Sequence, residues 1–224
     1  MAARAKKKAK AREPLTLERA LQVAVAIADK EGLELLTMRR LAQELGVEAM
    51  SLYHHVANKD AILSGIVDLV AGELEVPAAG GDWRAAMRRR AQTAHAVLMR
   101  HPWATMLIVS RPNIGPSMLR AVDATISCLR AAGFSWVMAD HAWNALDSYV
   151  YGFTLQKLNF PFKPGEYAAA AKQFIHLIPP AQFPGLNGMS QEVIAGRHDG
   201  LHELGFGLEL LLEGLERLRS RGSA

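Results

Sequence analysis

Cysteine is nearly missing from this chain: Cys128 is the one thiol in 224 residues. No internal disulfide can form, so the fold must rest on packing, and a reducing compartment such as the cytoplasm fits. A lone cysteine reads as a small buried apolar residue before it reads as a nucleophile. Strand-like alternation is also missing, which argues against a sheet-based fold. No stretch reads as a membrane span, because the longest uncharged run, residues 173–191, is broken by Pro179, Pro180, Pro184 and Gly185. Beyond residue 80 no catalytic set assembles, so neither an enzyme nor a cofactor is expected.

What is present is a basic start and a helical body. Residues 1–14, "MAARAKKKAKAREP", hold six Lys or Arg against one Glu, a net +5 that leaves −1 of the total +4 for the rest. Such an arm is too polar to pack, and reads either as a solubilising terminus or as a phosphate-seeking arm. The following "ALQVAVAIA" mimics a signal peptide. Glu13, Glu18 and Gln22 interrupt that pattern, so it is read as the first helix of a folded unit.

Helical periodicity and Pro/Gly punctuation predict an all-α fold. Thr16 caps a first helix that ends at Gly32, and Thr37 caps a short second one carrying Leu41, Ala42 and Leu45 inward. Gly46 permits a tight turn before "VEAMSLYHH", which makes a helix-turn-helix unit. Asn58 caps a fourth helix over about Lys59 to Glu75. The expected division is a basic arm (1–14), a helix-turn-helix domain with its linking fourth helix (15–75), and a helical bundle (76–224). Helices are expected over 82–100, 101–110, 116–132, 135–158 and 166–177, then a loop with "PPAQFPGLNG", then a last helix over 201–219.

Two helices carry 3,4-spaced apolar repeats: Leu201, Leu204, Leu208, Leu211, Leu215 and Leu218, and Trp136, Ala139, Trp143, Leu146, Val150 and Phe153. Gly200, Gly207 and Gly214 recur every seven residues beside the first repeat, and mid-helix glycine costs about 1 kcal/mol against Ala. Close approach of a neighbouring helix backbone would compensate. A homodimer is expected, with its interface on Trp136, Trp143, Leu204, Gly207, Leu208, Leu211, Gly214 and Leu215.

The adjacent His54 and His55 diverge by about 100° on a helix and cannot share one metal. One should face the core side and the other outward, with Leu52 and Val56 anchoring the helix. Here the run "LTMRRLAQELGV", the "LYHHV" and the "NKDAIL" together make residues 16–70 resemble the DNA-binding domain of the tetracycline-repressor (TetR) family of bacterial transcription regulators. The ending "FGLELLLEGLERL" resembles that family's C-terminal regulatory helix.

The resemblance implies a homodimeric repressor that leaves a palindromic double-stranded DNA operator when a small-molecule effector binds. By it, Tyr53, His55 and Lys59 hold phosphates, and Thr37 contacts the DNA backbone while capping its helix. Arg39 matches a position that reads guanine, and Ala49, Met50, Ser51 and His54 face bases. Donors tolerant of any sequence suit phosphates. Read without the resemblance, Tyr53 is a core aromatic with a wet hydroxyl and Arg39 a solvated charge.

In the second half, Met99, Trp103 and Met106 either line an effector pocket or belong to an ordinary core. Asp140, Asn144, Asp147 and Tyr151 form a polar stripe facing either water or a cavity. His198 and His202, with Glu203 beside the second, are spaced for two metal ligands, but no third ligand is placed, and they read as surface or interface histidines. A helical metalloenzyme built on them, and a DNA-binding module without effector control, are the rival readings.

Overall fold

In the computed structural model, residues 14–222 are described except Pro164, as are all their side chains but those of residues 221–222. The basic arm, Pro14 apart, lies outside the described residues. Among these there are eleven α-helices and no strand: α1 (Leu17–Glu31), α2 (Met38–Leu45), α3 (Ala49–Tyr53), α4 (Lys59–Ala71), α5 (Trp83–Arg100), α6 (Pro102–Ser110), α7 (Pro116–Ala131), α8 (Trp136–Leu158), α9 (Glu166–Phe174), α10 (Pro184–Ile194) and α11 (Leu204–Gly222). The chain divides into two compact units, one of residues up to Glu73 with Met106–Leu119, the other of Leu74–Thr105 with Arg120 onward. The contiguous division expected from sequence did not include that return of residues 106–119.

In the first unit the capping chemistry sets each helix start. Thr16, Thr37 and Asn58 side chains accept from the backbone N–H of Arg19 (3.2 Å), Arg40 (3.0 Å) and Ala61 (2.8 Å). Gly46 stops α2 in the left-handed region (φ 69°, ψ 33°), which a side chain would resist. α1 packs on α2 and α4, and α2 on α3. Ile27, Leu41, Leu45, Leu52, Val56, Ile62 and Ile66 are buried. α4 ends at Ala71, earlier than the expected Glu75. The returning segment is tied to α4: Asp68 Oδ1 accepts from Ser117 N (2.9 Å) and Met118 N (3.0 Å), capping α7 from outside its own sequence. A Cβ at Gly115 would collide with Asp68.

The second unit is built on α5, α8 and α11, whose shared core includes Met87, Ala91, Leu146, Val150, Leu208 and Leu212. Arg88 forks onto Glu209 (2.5 and 2.8 Å) and Trp83 Nε1 donates to Glu216 (3.1 Å), both from α5 to α11. Cys128 is buried, and burial pushes its thiol pKa up.

Several expectations change here. The loop expected around "PGLNG" is α10, entered through Pro184 at its first turn, where the missing N–H costs nothing. The last helix starts at Leu204, leaving Leu201 outside it. Its inward face is Leu204, Leu208, Leu212 and Leu215, whereas Leu211 is half-buried and Leu218 exposed. The 3,4 spacing identified three of these inward residues, Leu204, Leu208 and Leu215, but the chain's own helices took Leu212 in place of Leu211. Two of the three glycines make room for tyrosine rings rather than for a helix backbone. A Cβ on Gly207 would lie 2.6 Å from the Tyr149 hydroxyl, and one on Gly200 would strike the Tyr167 ring, while Gly214 faces open space.

Candidate nucleic-acid interface

α3 is anchored by Leu52 and Val56, exposed by 0% and 3%, and this anchoring decides which side chains point outward. Thr37, Arg39, Met50, Ser51, Tyr53, His54, His55 and Lys59 are all exposed, and Ala49 is half-buried. Tyr53 is 45% exposed and Met50 72%, so neither is a core residue. Both histidines are exposed, against the expectation that one would turn inward. The reason is that α3 ends at Tyr53: His54 is its C-cap and His55 lies beyond, so helical spacing no longer governs them.

Several of these outward groups can donate hydrogen bonds. Thr37 uses an oxygen lone pair to cap α2, which leaves its hydroxyl proton available to donate. Lys59 opens α4, where the first backbone N–H groups lack helical partners. Arg39 makes no ion pair among the described residues. Its neighbour Arg40 does the opposite. Nε and Nη2 fork onto Glu31 (3.1 and 2.8 Å), and Nη1 reaches Glu44 (2.6 Å). The bond from Arg40 holds the Glu31 carboxyl below its ordinary range.

The residues expected to meet an effector separate. Trp103 is buried, Met99 half-buried and Met106 53% exposed. The polar stripe splits as well: Asp140 and Asn144 are exposed and bonded to each other (3.2 Å), while Asp147 and Tyr151 turn inward. Asp147 accepts from Arg90 Nη1 (2.6 Å) and Nη2 (3.2 Å), from Trp143 Nε1 (2.7 Å) and from the Tyr151 hydroxyl (3.2 Å). Burial works against the Arg90 charge, and the Asp147 carboxylate more than offsets it, so the guanidinium pKa is raised. Burial also pushes the Tyr151 hydroxyl pKa up. Arg90 was missed from the sequence because "RRR" at 88–90 reads as a solvated run.

Of the expected interface residues, Leu208 is fully enclosed by its own chain, Leu204 and Leu215 nearly so, and Gly207 packs on Tyr149. Trp136, Leu211 and Gly214 remain on or near the surface, and Trp143 is half-buried. The exposed apolar residues of α8 and α11 are Trp136 (70%), Val137 (67%), Phe206 (76%), Leu210 (59%) and Leu218 (46%). A groove of about 390 Å³ between these helices is lined by Met138, Ala145, Leu210, Leu211, Gly214 and Leu218 among others. His198 and His202 have ring centroids 6.2 Å apart, and no cluster of three metal-ligating side chains occurs among the described residues. No helix among them is long and apolar enough to cross a membrane.

A short helix-turn-helix with an outward row of hydrogen-bond donors, in a chain that also holds a large helical bundle, is the architecture of a DNA-binding transcription regulator. Comparison with known proteins gives the family. Residues 20–66 match the family described as "Bacterial regulatory proteins, tetR family", and residues 76–219 match "Tetracyclin repressor-like, C-terminal domain". The chain belongs to the tetR family.

The repressor DrrR1 of Streptomyces coeruleorubidus is 34% identical over 214 residues, spanning 91% of this chain and 78% of that protein. The class D tetracycline repressor of Escherichia coli is 28% identical, over 90% of this chain and 89% of its own. Among solved structures, apo ActR from Streptomyces coelicolor has a TM-score of 0.81 at 28% identity, covering 95% of this chain and all of ActR. ActR bound to actinorhodin gives 0.79 at 29% identity, over 92% of this chain and 99% of ActR.

Proposed function

We propose that residues 15–75 read DNA and residues 76–224 bind a small-molecule effector and dimerise. The protein is then a cytoplasmic repressor without catalytic chemistry of its own, released from its operator by the effector. The observation that carries this is the exposure of Thr37, Arg39, Met50, Ser51, Tyr53, His54, His55 and Lys59 around an α3 anchored by Leu52 and Val56; on this reading Tyr53, His55, Lys59 and Thr37 meet phosphates and Arg39, Ala49, Met50, Ser51 and His54 meet base edges. Repression and release are supported by the relatives, one named a transcriptional repressor and one solved with actinorhodin bound.

A second copy is the occupant that suits the exposed apolar face of α8 and α11, since a patch of that kind on a soluble regulator marks an interface. Two-fold symmetry then calls for a palindromic operator, with half-sites one or more helical turns apart. Gly214→Leu is expected to raise the dimer dissociation constant at least 10-fold, because the new side chain fills the groove that a partner side chain would enter. Sedimentation equilibrium reads it. An unchanged constant would remove this face from the interface.

Release is tested with actinorhodin and tetracycline as probes, in thermal-shift and operator-affinity titrations run side by side. A ligand causes release only by binding the DNA-incompetent state more tightly. A probe that raises Tm is therefore expected to weaken operator binding. One that raises Tm and leaves operator affinity unchanged contradicts effector control.

A further inference from the structure

Two adjacent arginines stand in the first turn of α2, and the structure gives them opposite situations. Side chains of neighbours on a helix diverge by about 100°. Arg39 is exposed and makes no ion pair among the described residues. Arg40 has a side-chain exposure of 28%, and three of its N–H groups are directed at carboxylates, two at Glu31 and one at Glu44. Glu31 is the last residue of α1, and the fork spans the 3-10 turn Leu33–Leu35 that joins α1 to α2. A planar guanidinium held by both oxygens of one carboxylate fixes direction as well as distance. The Glu44 contact, one turn further along α2, keeps the fork from swinging away. A DNA phosphate would have to displace two carboxylates to recruit Arg40.

We infer that Arg40 is a positioning residue for DNA reading: its fork on Glu31 fixes the rotation of α2 about its own axis and so aims Arg39 at a base edge, without Arg40 touching DNA. The inference rests on the reading of α2 and α3 as the DNA-reading surface. It separates two arginines that sequence alone would score alike as basic contacts. Base-edge recognition depends on direction far more than phosphate attraction does, so a loosened α2 loses discrimination before it loses affinity for DNA in general.

The test uses the full chain and two variants, Arg40→Met, which keeps the apolar stem and removes the fork, and Glu31→Gln, which keeps Arg40 and weakens its holder. Each is titrated by fluorescence anisotropy across a salt series, on the preferred operator and on one changed at the base pair that Arg39→Ala identifies. For Arg40→Met the ratio of the two affinities is expected to fall about 5-fold, the factor of a lost ordinary hydrogen bond. The slope of log affinity against log salt should stay the same, because every phosphate keeps the cation that neutralises it.

Glu31→Gln is expected to lower the ratio as well. If Arg40 instead contacts phosphate, Arg40→Met reduces the slope by about 0.9 for each phosphate no longer neutralised. On that account Glu31→Gln tightens binding to both operators alike and leaves the ratio unchanged. Those results overturn the inference, as does an unchanged ratio and slope in both variants, which would make the fork a fold contact only. Failure of the underlying reading looks different: Arg39→Ala itself would then leave every operator unaffected.

Discussion

Arg90→Ala is expected to lower folding stability by about 3–5 kcal/mol, the cost of leaving a buried carboxylate without its partner. Arg90 and Asp147 have side-chain exposures of 7% and 13%, and the Arg90 fork supplies two of the four hydrogen bonds that Asp147 accepts. After the change Trp143 and Tyr151 still donate to Asp147, but no cation balances it. Replacing both partners together, as Arg90→Met with Asp147→Leu, should recover much of the loss, because a well-packed apolar pair removes the desolvation cost along with the attraction. Asp140→Ala, on the exposed end of the same stripe, should change stability by less than about 0.5 kcal/mol. Urea denaturation of the four proteins decides it. A loss below about 1 kcal/mol for Arg90→Ala would mean that water reaches Asp147 and that the network is not closed.

The second large effect is on DNA reading. Arg39→Ala is expected to weaken binding to the preferred operator by about 1–3 kcal/mol per half-site, and by much less on an operator already changed at the contacted base pair. Tyr53→Phe keeps the ring and removes one hydroxyl. It should cost about 0.5–1.5 kcal/mol per half-site, alike on all operators, because a phosphate contact carries no sequence information. All titrations are run at one salt concentration, since the electrostatic background moves with salt. Equal weakening of every operator by Arg39→Ala would make Arg39 a phosphate contact and leave base reading to Ser51, His54, Ala49 and Met50.

The helix-turn-helix fold was legible in the sequence because its signals are local. Thr16, Thr37, Asn58 and Gly46 act within three or four residues of themselves, and Leu52 and Val56 anchor one short helix. Helical spacing does not place His54 and His55, because α3 ends at Tyr53. In the helical bundle the deciding contacts are distant. Arg90 meets Asp147 across 57 positions, and nothing in "MRRRAQ" distinguishes it from Arg89, which pairs at the surface with Glu75. The glycines of α10, Gly185 and Gly188, disguised a helix as a loop. On α11 both Leu211 and Leu212 satisfy an apolar pattern, and only the placement of α5 and α8 determines that Leu212 goes inside.

Selection from a pool of random-sequence duplex DNA by the purified full chain, at about 150 mM salt where nonspecific attraction is screened to a Debye length of about 8 Å, tests the central claim most directly. The account predicts enrichment of a two-fold symmetric sequence that Arg39→Ala binds with reduced preference at one position in each half. A folded protein that enriches no sequence over the starting pool would contradict it.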